Sequence, residues 1–279
     1  MTAREAINQA QARLDAAGVP DAVLACEWLL SDILHIPRLQ LKANLGTYLS
    51  PEALEMFNSQ AARLMAREPL QYIQGKASFM GHEFIVRPPV LIPRADTETL
   101  CEQALRHVKP GFRVLDLCCG SGCLGIAVKL SYPACDVWAS DVSPEAVALT
   151  RENAQRLGAE IQAVRGDLFE PLSGLMFDLV LCNPPYIKTD DLPHLQPEVL
   201  KEPALALDGG PDGLHFYRRV LREIGAFLVP GGSLLFEVGD GQMEDVAALL
   251  TGVFLPPAKI NDLTGRPRVL ETRRLPGVH

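Results

Sequence analysis

Arg113-Val-Leu-Asp116-Leu-Cys118-Cys119-Gly120-Ser121-Gly122 is the stretch on which the fold turns. Its first five residues read as a short buried strand. The glycines then break the strand into a tight turn, and an apolar helical run continues from about Gly122 to Leu130. A strand, a glycine turn and a helix in that order begin a βα unit. Downstream the rhythm repeats: strands near Val137–Ala139, Ile161–Val164, Leu179–Cys182 and Ser233–Glu237 alternate with helices over 144–158, 213–228 and 242–250. Such alternation implies an α/β domain with a mostly parallel sheet. A terminal hairpin, Lys259–Leu263 and Val269–Thr272, is expected to add an antiparallel edge.

Upstream, a helix over Thr97–Val108 leads into this domain. Residues 1–72 read as an all-helical domain. Thr2 and Glu5 fit a capping box, Asp21 is placed to cap a second helix, a short helical piece follows around Arg38–Leu45, and Ser50-Pro51 opens another helix. Residues 73–95, punctuated by Gly75, Gly81, Pro88, Pro89 and Pro93, read as a linker carrying a β-hairpin. Residues 96–279 form the α/β domain. Residues 187–211 form a long irregular insertion.

Composition excludes several classes. Hydrophobic residues make up 48% and charged residues 22%, as in an ordinary globular chain. A net charge of −8 speaks against a large sequence-independent phosphate-binding surface, so no direct nucleic-acid partner is expected. Seven cysteines, none in a disulfide framework or in paired C-x-x-C motifs, fit a reduced, cytoplasmic protein without a structural metal. No apolar run approaches the roughly 20 residues of a membrane span. A monomer is expected.

Three sites follow the strands. At Asp116-x-Cys118-Cys119-Gly120-Ser121-Gly122 the backbone can pass close to a ligand and aim free N–H groups at an anion. Asp116 would repel a pyrophosphate and suits a cationic amino group. Asp141 ends the next strand, where an acid can hold both ribose hydroxyls, or alternatively cap the helix at Ser143-Pro144. Gly166-Asp167-Leu168-Phe169 follows the third strand. There Asp167 can accept from an exocyclic amine while Leu168 and Phe169 flank an adenine face; an ordinary turn with apolar packing is the alternative. Together they outline a pocket for an amino-acid head, a ribose and an adenine.

After the fourth strand comes Asn183-Pro184-Pro185-Tyr186. Two prolines end any ladder and hold Asn183 out of the α region. The corner offers an amide, freed carbonyls and a phenol at the sheet edge where ligands bind.

These motifs resemble a class I S-adenosylmethionine-dependent methyltransferase of Rossmann-like fold, with a seven-stranded sheet. Asn-Pro-Pro-Tyr narrows the resemblance to enzymes that methylate a conjugated amino or amide nitrogen. The chain is further similar to the protein-(glutamine-N5) methyltransferases acting on peptide chain release factors (the HemK-type family). The residues that carry this are Glu68-Pro-Leu-Gln71-Tyr72-Ile73-x-Gly75, Phe79-x-Gly81, Leu91-Ile-Pro-Arg94-x-Asp96-Thr97-Glu98, Glu202-Pro203, Gly209-Gly210-x-Asp212-Gly213 and Asp262-Leu-x-Gly265-x-x-Arg268. Where the family often has glycine, this chain has Cys118. The resemblance implies S-adenosylmethionine as methyl donor, held by Asp116, Cys118, Cys119, Gly120, Ser121, Gly122, Asp141, Asp167, Leu168 and Asn183. It implies a release-factor glutamine as substrate, gripped in part by the helical N-terminal domain.

A glutamine amide nitrogen is a poor nucleophile because its lone pair is delocalised. Asn183 Oδ1 and the Pro184 carbonyl can accept its two N–H bonds, and Tyr186 offers a flat face for the amide, with Pro185 completing the corner. Its ring could also stabilise a nearby sulfonium. Glutamine on a ribosomal protein, or N6 of adenine in nucleic acid, is an alternative acceptor. A literal Gly120-x-Gly122-x-x-Gly125 leaves an NAD(P)-binding oxidoreductase as a remote alternative. Arg94, Asp96 and Glu98 read either as an interdomain ion-pair network or as substrate contacts.

Overall fold

The computed structural model describes residues 1–277. Two compact units form: Met1–Lys76 with Gln196–Lys201, and Ala77–Leu195 with Glu202 onward.

The first unit contains α1 (Ala3–Ala16), α2 (Ala22–Ile33), α3 (Arg38–Ala43), α4 (Pro51–Met65) and α5 (Leu70–Gln74). Thr2 and Glu5 make the expected reciprocal cap, and Ser50 Oγ accepts from Ala53 N. Asp21 does not cap α2. It sits at the N-cap position with φ 50°, left-handed, and its side chain makes no capping bond. The five residues of α5 lie in a stretch expected to be partly linker. Leu14, Leu29, Leu30 and Phe57 centre the core. Glu198, from the insertion, receives both Arg67 Nε (2.5 Å) and Nη2 (2.7 Å).

The second unit is built on a seven-stranded sheet. Its strands are β3 (Arg113–Leu117), β4 (Asp136–Asp141), β5 (Gln162–Arg165), β6 (Phe177–Cys182), β7 (Leu228–Glu237), β8 (Ala258–Asn261) and β9 (Pro267–Arg273). The order is β5-β4-β3-β6-β7-β9-β8, and only the β9 pairings are antiparallel. A separate hairpin, β1 (Lys76–Phe79) and β2 (His82–Ile85), lies against α8 (Pro144–Leu157), where Asn153 bonds both the N–H and the C=O of Ile85.

Side chains alternate across β6. Leu179 and Leu181 pack under α6 (Ala95–His107) and α7 (Cys123–Ser131), while Val180 and Cys182 pack under α9 (His215–Glu223) and α10 (Met243–Ala248). The helix expected over 213–228 ends at Glu223 and becomes a 3-10 turn, Ile224–Ala226. The segment 187–211 holds three 3-10 turns.

Chain order reverses between β3 and β6, so the ends of these neighbours form the switch point of the sheet. Leu117 stands opposite Cys182. The next residue on each strand opens, respectively, the glycine turn and the Asn183 corner, which the topology thus sets side by side.

Candidate active site at the sheet switch point

The glycine turn is pinned from within. Cys119 N–H donates to Ser140 O (3.1 Å), Gly120 N–H to Asp141 Oδ2 (2.9 Å) and Gly122 N–H to Cys119 O (2.8 Å). These three N–H groups are therefore taken up within the protein, one of them by the Asp141 carboxylate. The turn also makes room. Gly122 has φ +78°, and a Cβ there would meet Thr150 Cγ2 at 2.7 Å. Cys118 accepts the left-handed region with φ 62°, a conformation that costs a side chain about 1–2 kcal/mol.

Asp116 lies behind the turn and is wholly buried. Its Oδ2 accepts from Gly125 N (2.9 Å), while Oδ1 has no partner. A Cβ on Gly125 would come within 3.1 Å of Asp116 Cβ, so the third glycine of the fingerprint serves helix–strand contact around this acid. Burial pushes the Asp116 carboxyl up to about 7, against the opposing Gly125 bond.

Two recesses meet at the corner. One is lined by Asp141, Val142, Asp167, Leu168 and Phe216, the other by Thr97, Cys119, Ser121 and Cys123; Cys118, Gly120 and Asn183 border both. Asp116 lines neither, although its charge is felt by Cys118, Cys119 and Cys123. Asp141 holds the Gly120 and Ser143 N–H groups on its two oxygens. Ser143 itself caps α8 through Ala146 N, so capping is not the work of Asp141. Burial raises the Asp141 carboxyl despite those bonds. Asp167 is exposed and pairs with Arg219 (2.8 Å). Phe169 does not flank the recess: it is 1% exposed and stacks on Phe227 at 4.6 Å. Leu168, with φ 51°, turns the chain so that the two neighbours face opposite ways. Phe216, on α9, stands at the recess instead and was not anticipated.

Asn183 Nδ2 donates to Thr97 Oγ1 (3.2 Å), which leaves Oδ1 to accept. Pro185 borders the first recess, and Pro184 is buried. Tyr186 borders a depression beside Ile187 and Gln242, and its hydroxyl donates to Glu237 Oε1 (3.2 Å). Burial, then the Glu237 charge, pushes the phenol well above its usual range. Glu237 is 1% exposed at the end of β7; its carboxyl is raised by burial and lowered chiefly by neighbouring Thr97 and Arg268. No motif had singled it out.

The flanking motifs prove to be supports inside this unit. Glu202 receives Arg94 and the Ile92 N–H (3.0 Å). Glu98 receives the Met80 N–H (2.6 Å), and Asp96 pairs with Arg268 (3.1 Å). The ion pairs of Arg94 and Asp96 therefore lie within this unit rather than between domains.

The chain matches two family models, PrmC N-terminal domain over residues 5–75 and Methyltransferase small domain over 96–211. A protein of Geobacter sulfurreducens, "Release factor glutamine methyltransferase", is 45% identical over 251 residues, covering 90% of this chain and 88% of the relative. The chain belongs to the release factor glutamine methyltransferase family. Solved structures agree on the fold. A methyltransferase from Pyrococcus furiosus aligns with TM-score 0.56 at 16% identity, over 78% of this chain and 99% of that one. A Thermus thermophilus 16S rRNA N2 G1207 methyltransferase, in complex with AdoMet and guanosine, aligns with TM-score 0.51 at 19% identity, over 71% and 49%. Family membership disfavours the oxidoreductase reading of the glycine fingerprint. Among the described residues no helix is long and apolar enough to cross a membrane, and no cluster of His, Cys, Asp and Glu could hold a metal ion.

Proposed function

We propose that the protein transfers a methyl group from S-adenosylmethionine to the side-chain amide nitrogen, N5, of the glutamine in the Gly-Gly-Gln loop of peptide chain release factors. The observation that carries this reading is the Asn183 amide, whose donor end is committed to Thr97 and whose acceptor end is left at the junction of the two recesses.

The residues present fit the methyl donor. Asp141, held by two backbone N–H groups, keeps lone pairs for ribose hydroxyls; Leu168 and Phe216 offer apolar faces for adenine, with Asp167 at the rim. Cys118, Cys119, Ser121 and Gly122 would pass close to the amino-acid portion, with the unpaired Asp116 Oδ1 supplying negative charge from behind. When bound, the donor supplies an electrophilic methyl on a sulfonium.

The chain's own residues do the rest. Asn183 Oδ1 and the Pro184 carbonyl accept the two amide N–H bonds, which favours pyramidal, electron-rich nitrogen. As positive charge develops there, these fixed acceptors bind the transition state more tightly than the ground state. The stiff corner holds the nitrogen for in-line attack, so positioning supplies much of the rate. Tyr186 anchors the corner through Glu237. We assign to the helical domain, residues 1–72, a share in gripping the protein substrate.

The test is incubation with labelled S-adenosylmethionine and purified release factor, with and without the loop glutamine changed to alanine. Label is expected only where the glutamine is present; equal labelling of both would refute the assignment.

A further inference from the structure

We propose that Thr97 and Glu237 form a relay that fixes which end of the Asn183 amide faces the substrate, making both positioning residues for methyl transfer. The inference rests on the acceptor role proposed for Asn183.

An asparagine amide is nearly symmetric in shape, and only its hydrogen-bond partners decide whether oxygen or NH2 faces a given side. Here the decision falls to a hydroxyl. Thr97 Oγ1 lies 3.2 Å from Asn183 Nδ2, in a side chain only 3% exposed. A hydroxyl can accept from Nδ2, or donate to Oδ1 if the amide turns over. Its own proton sets the choice, and that proton needs another acceptor.

Glu237 supplies it. The carboxylate lies beside the Thr97 hydroxyl. Oε1 receives Tyr186 OH at 3.2 Å, whereas Oε2 is buried and lacks a hydrogen-bond partner. A buried unpaired carboxylate oxygen is costly, and a rotating hydroxyl is the group able to turn toward it. Glu237 is itself placed by the backbone: its carbonyl accepts from Tyr217 OH at 2.8 Å, and Arg268 lies nearby as counter-charge. An ionised Glu237 can only accept. Thr97 then donates to it and presents a lone pair to Asn183, so Nδ2 turns inward and Oδ1 stays toward the recess. Reversed, the amide would present N–H to the substrate's N–H and lose the interaction that drives transfer.

A double-mutant cycle tests this in the full chain. Thr97→Val is expected to lower kcat about tenfold or more while leaving KM for release factor and the affinity for S-adenosylhomocysteine within about threefold. Thr97→Ser restores the hydroxyl and should recover most of kcat. Glu237→Gln, whose NH2 can donate to Thr97 and reverse the relay, should behave as Thr97→Val does. In an Asn183→Ala background, Thr97→Val and Glu237→Gln should each change kcat less than about twofold, because the amide they orient is gone. Equal fractional losses with and without Asn183, or no loss in the wild-type background, would overturn the relay. Either substitution decides, so failure of one variant to fold leaves the other. Wild-type protein that does not label release factor at all would sink the proposed function and this inference with it; active wild type with additive variants sinks the relay alone.

Discussion

Asp116→Asn should make the catalytic unit more stable at pH 8 than at pH 4, relative to the unaltered protein. The carboxyl is buried, with one oxygen on Gly125 N and the other unpaired. Burial raises it from 3.8 to about 7. Between those values the folded chain holds a proton that the unfolded chain has released. Stability therefore falls as pH rises through this window, and levels off above it. A change of this size corresponds to about 4 kcal/mol between pH 4 and pH 8. Asparagine does not titrate. Its Oδ1 keeps the Gly125 bond, while its Nδ2 becomes a buried donor without an evident acceptor, a cost of about 1–3 kcal/mol at every pH. The net gain at pH 8 is thus about 1–3 kcal/mol, and at pH 4 the variant is the less stable of the two.

Trp138 on β4 gives a local reading, since the chain's other tryptophan, Trp28, lies in the helical unit. In a Trp28→Phe background, urea unfolding followed by Trp138 fluorescence at pH 4, 6 and 8 should show the difference between the two proteins growing with pH. The same substitution should weaken S-adenosylmethionine binding, because the negative charge behind the Ser121 recess is lost. A difference in stability that does not change with pH would refute the account of Asp116. So would tighter binding by the variant.

Cys118→Gly relieves a left-handed residue with φ 62° and should stabilise the unit by about 0.5–1 kcal/mol, read as a higher urea midpoint at unchanged slope. Gly122→Ala places a methyl 2.7 Å from Thr150 Cγ2 at φ +78°, and should cost about 2 kcal/mol or more and weaken donor binding, measurable by calorimetry. Gly209→Ala would bring Cβ within 2.6 Å of Tyr186 Cα and displace the corner; kcat should fall more than about tenfold while donor affinity changes little.

Where local chemistry fixed an element, the sequence could be read directly. The β3 strand, its glycine turn and α7 fall where apolar runs and glycines put them, and Ser143-Pro144 opens α8 as a cap with proline at the first helical position. Elements decided by a few residues were harder. The five residues of α5 lie between Pro69 and Gly75, too few to show a 3.6-residue period. Asp21 had the right residue type for a cap, but a left-handed backbone denies its side chain the capping bond. Phe169 adjoins a residue at the recess, yet one positive φ at Leu168 sends it into the core.

The site divides along the same physical line. Asp141 and Asn183 could be placed from the sequence because one ends and the other follows a recognisable strand, and sheet topology brings strand ends together. Their supports come from far along the chain: Thr97 lies 86 residues before Asn183, and Glu202 lies 110 residues after Ile92. No local pattern announces such contacts. Glu237 did leave a trace, a single carboxylate ending the buried run Leu234-Leu235-Phe236, where a charge is expensive without a task. The downstream glycines left another. A Cβ on Gly209, Gly213 or Gly239 would strike Tyr186 or Gln242, and Gln242 ties Gly239 N to Tyr186 O. The Gly209-Gly210-x-Asp212-Gly213 motif therefore acts through space: it clears room for Tyr186 to sit rigidly behind the corner.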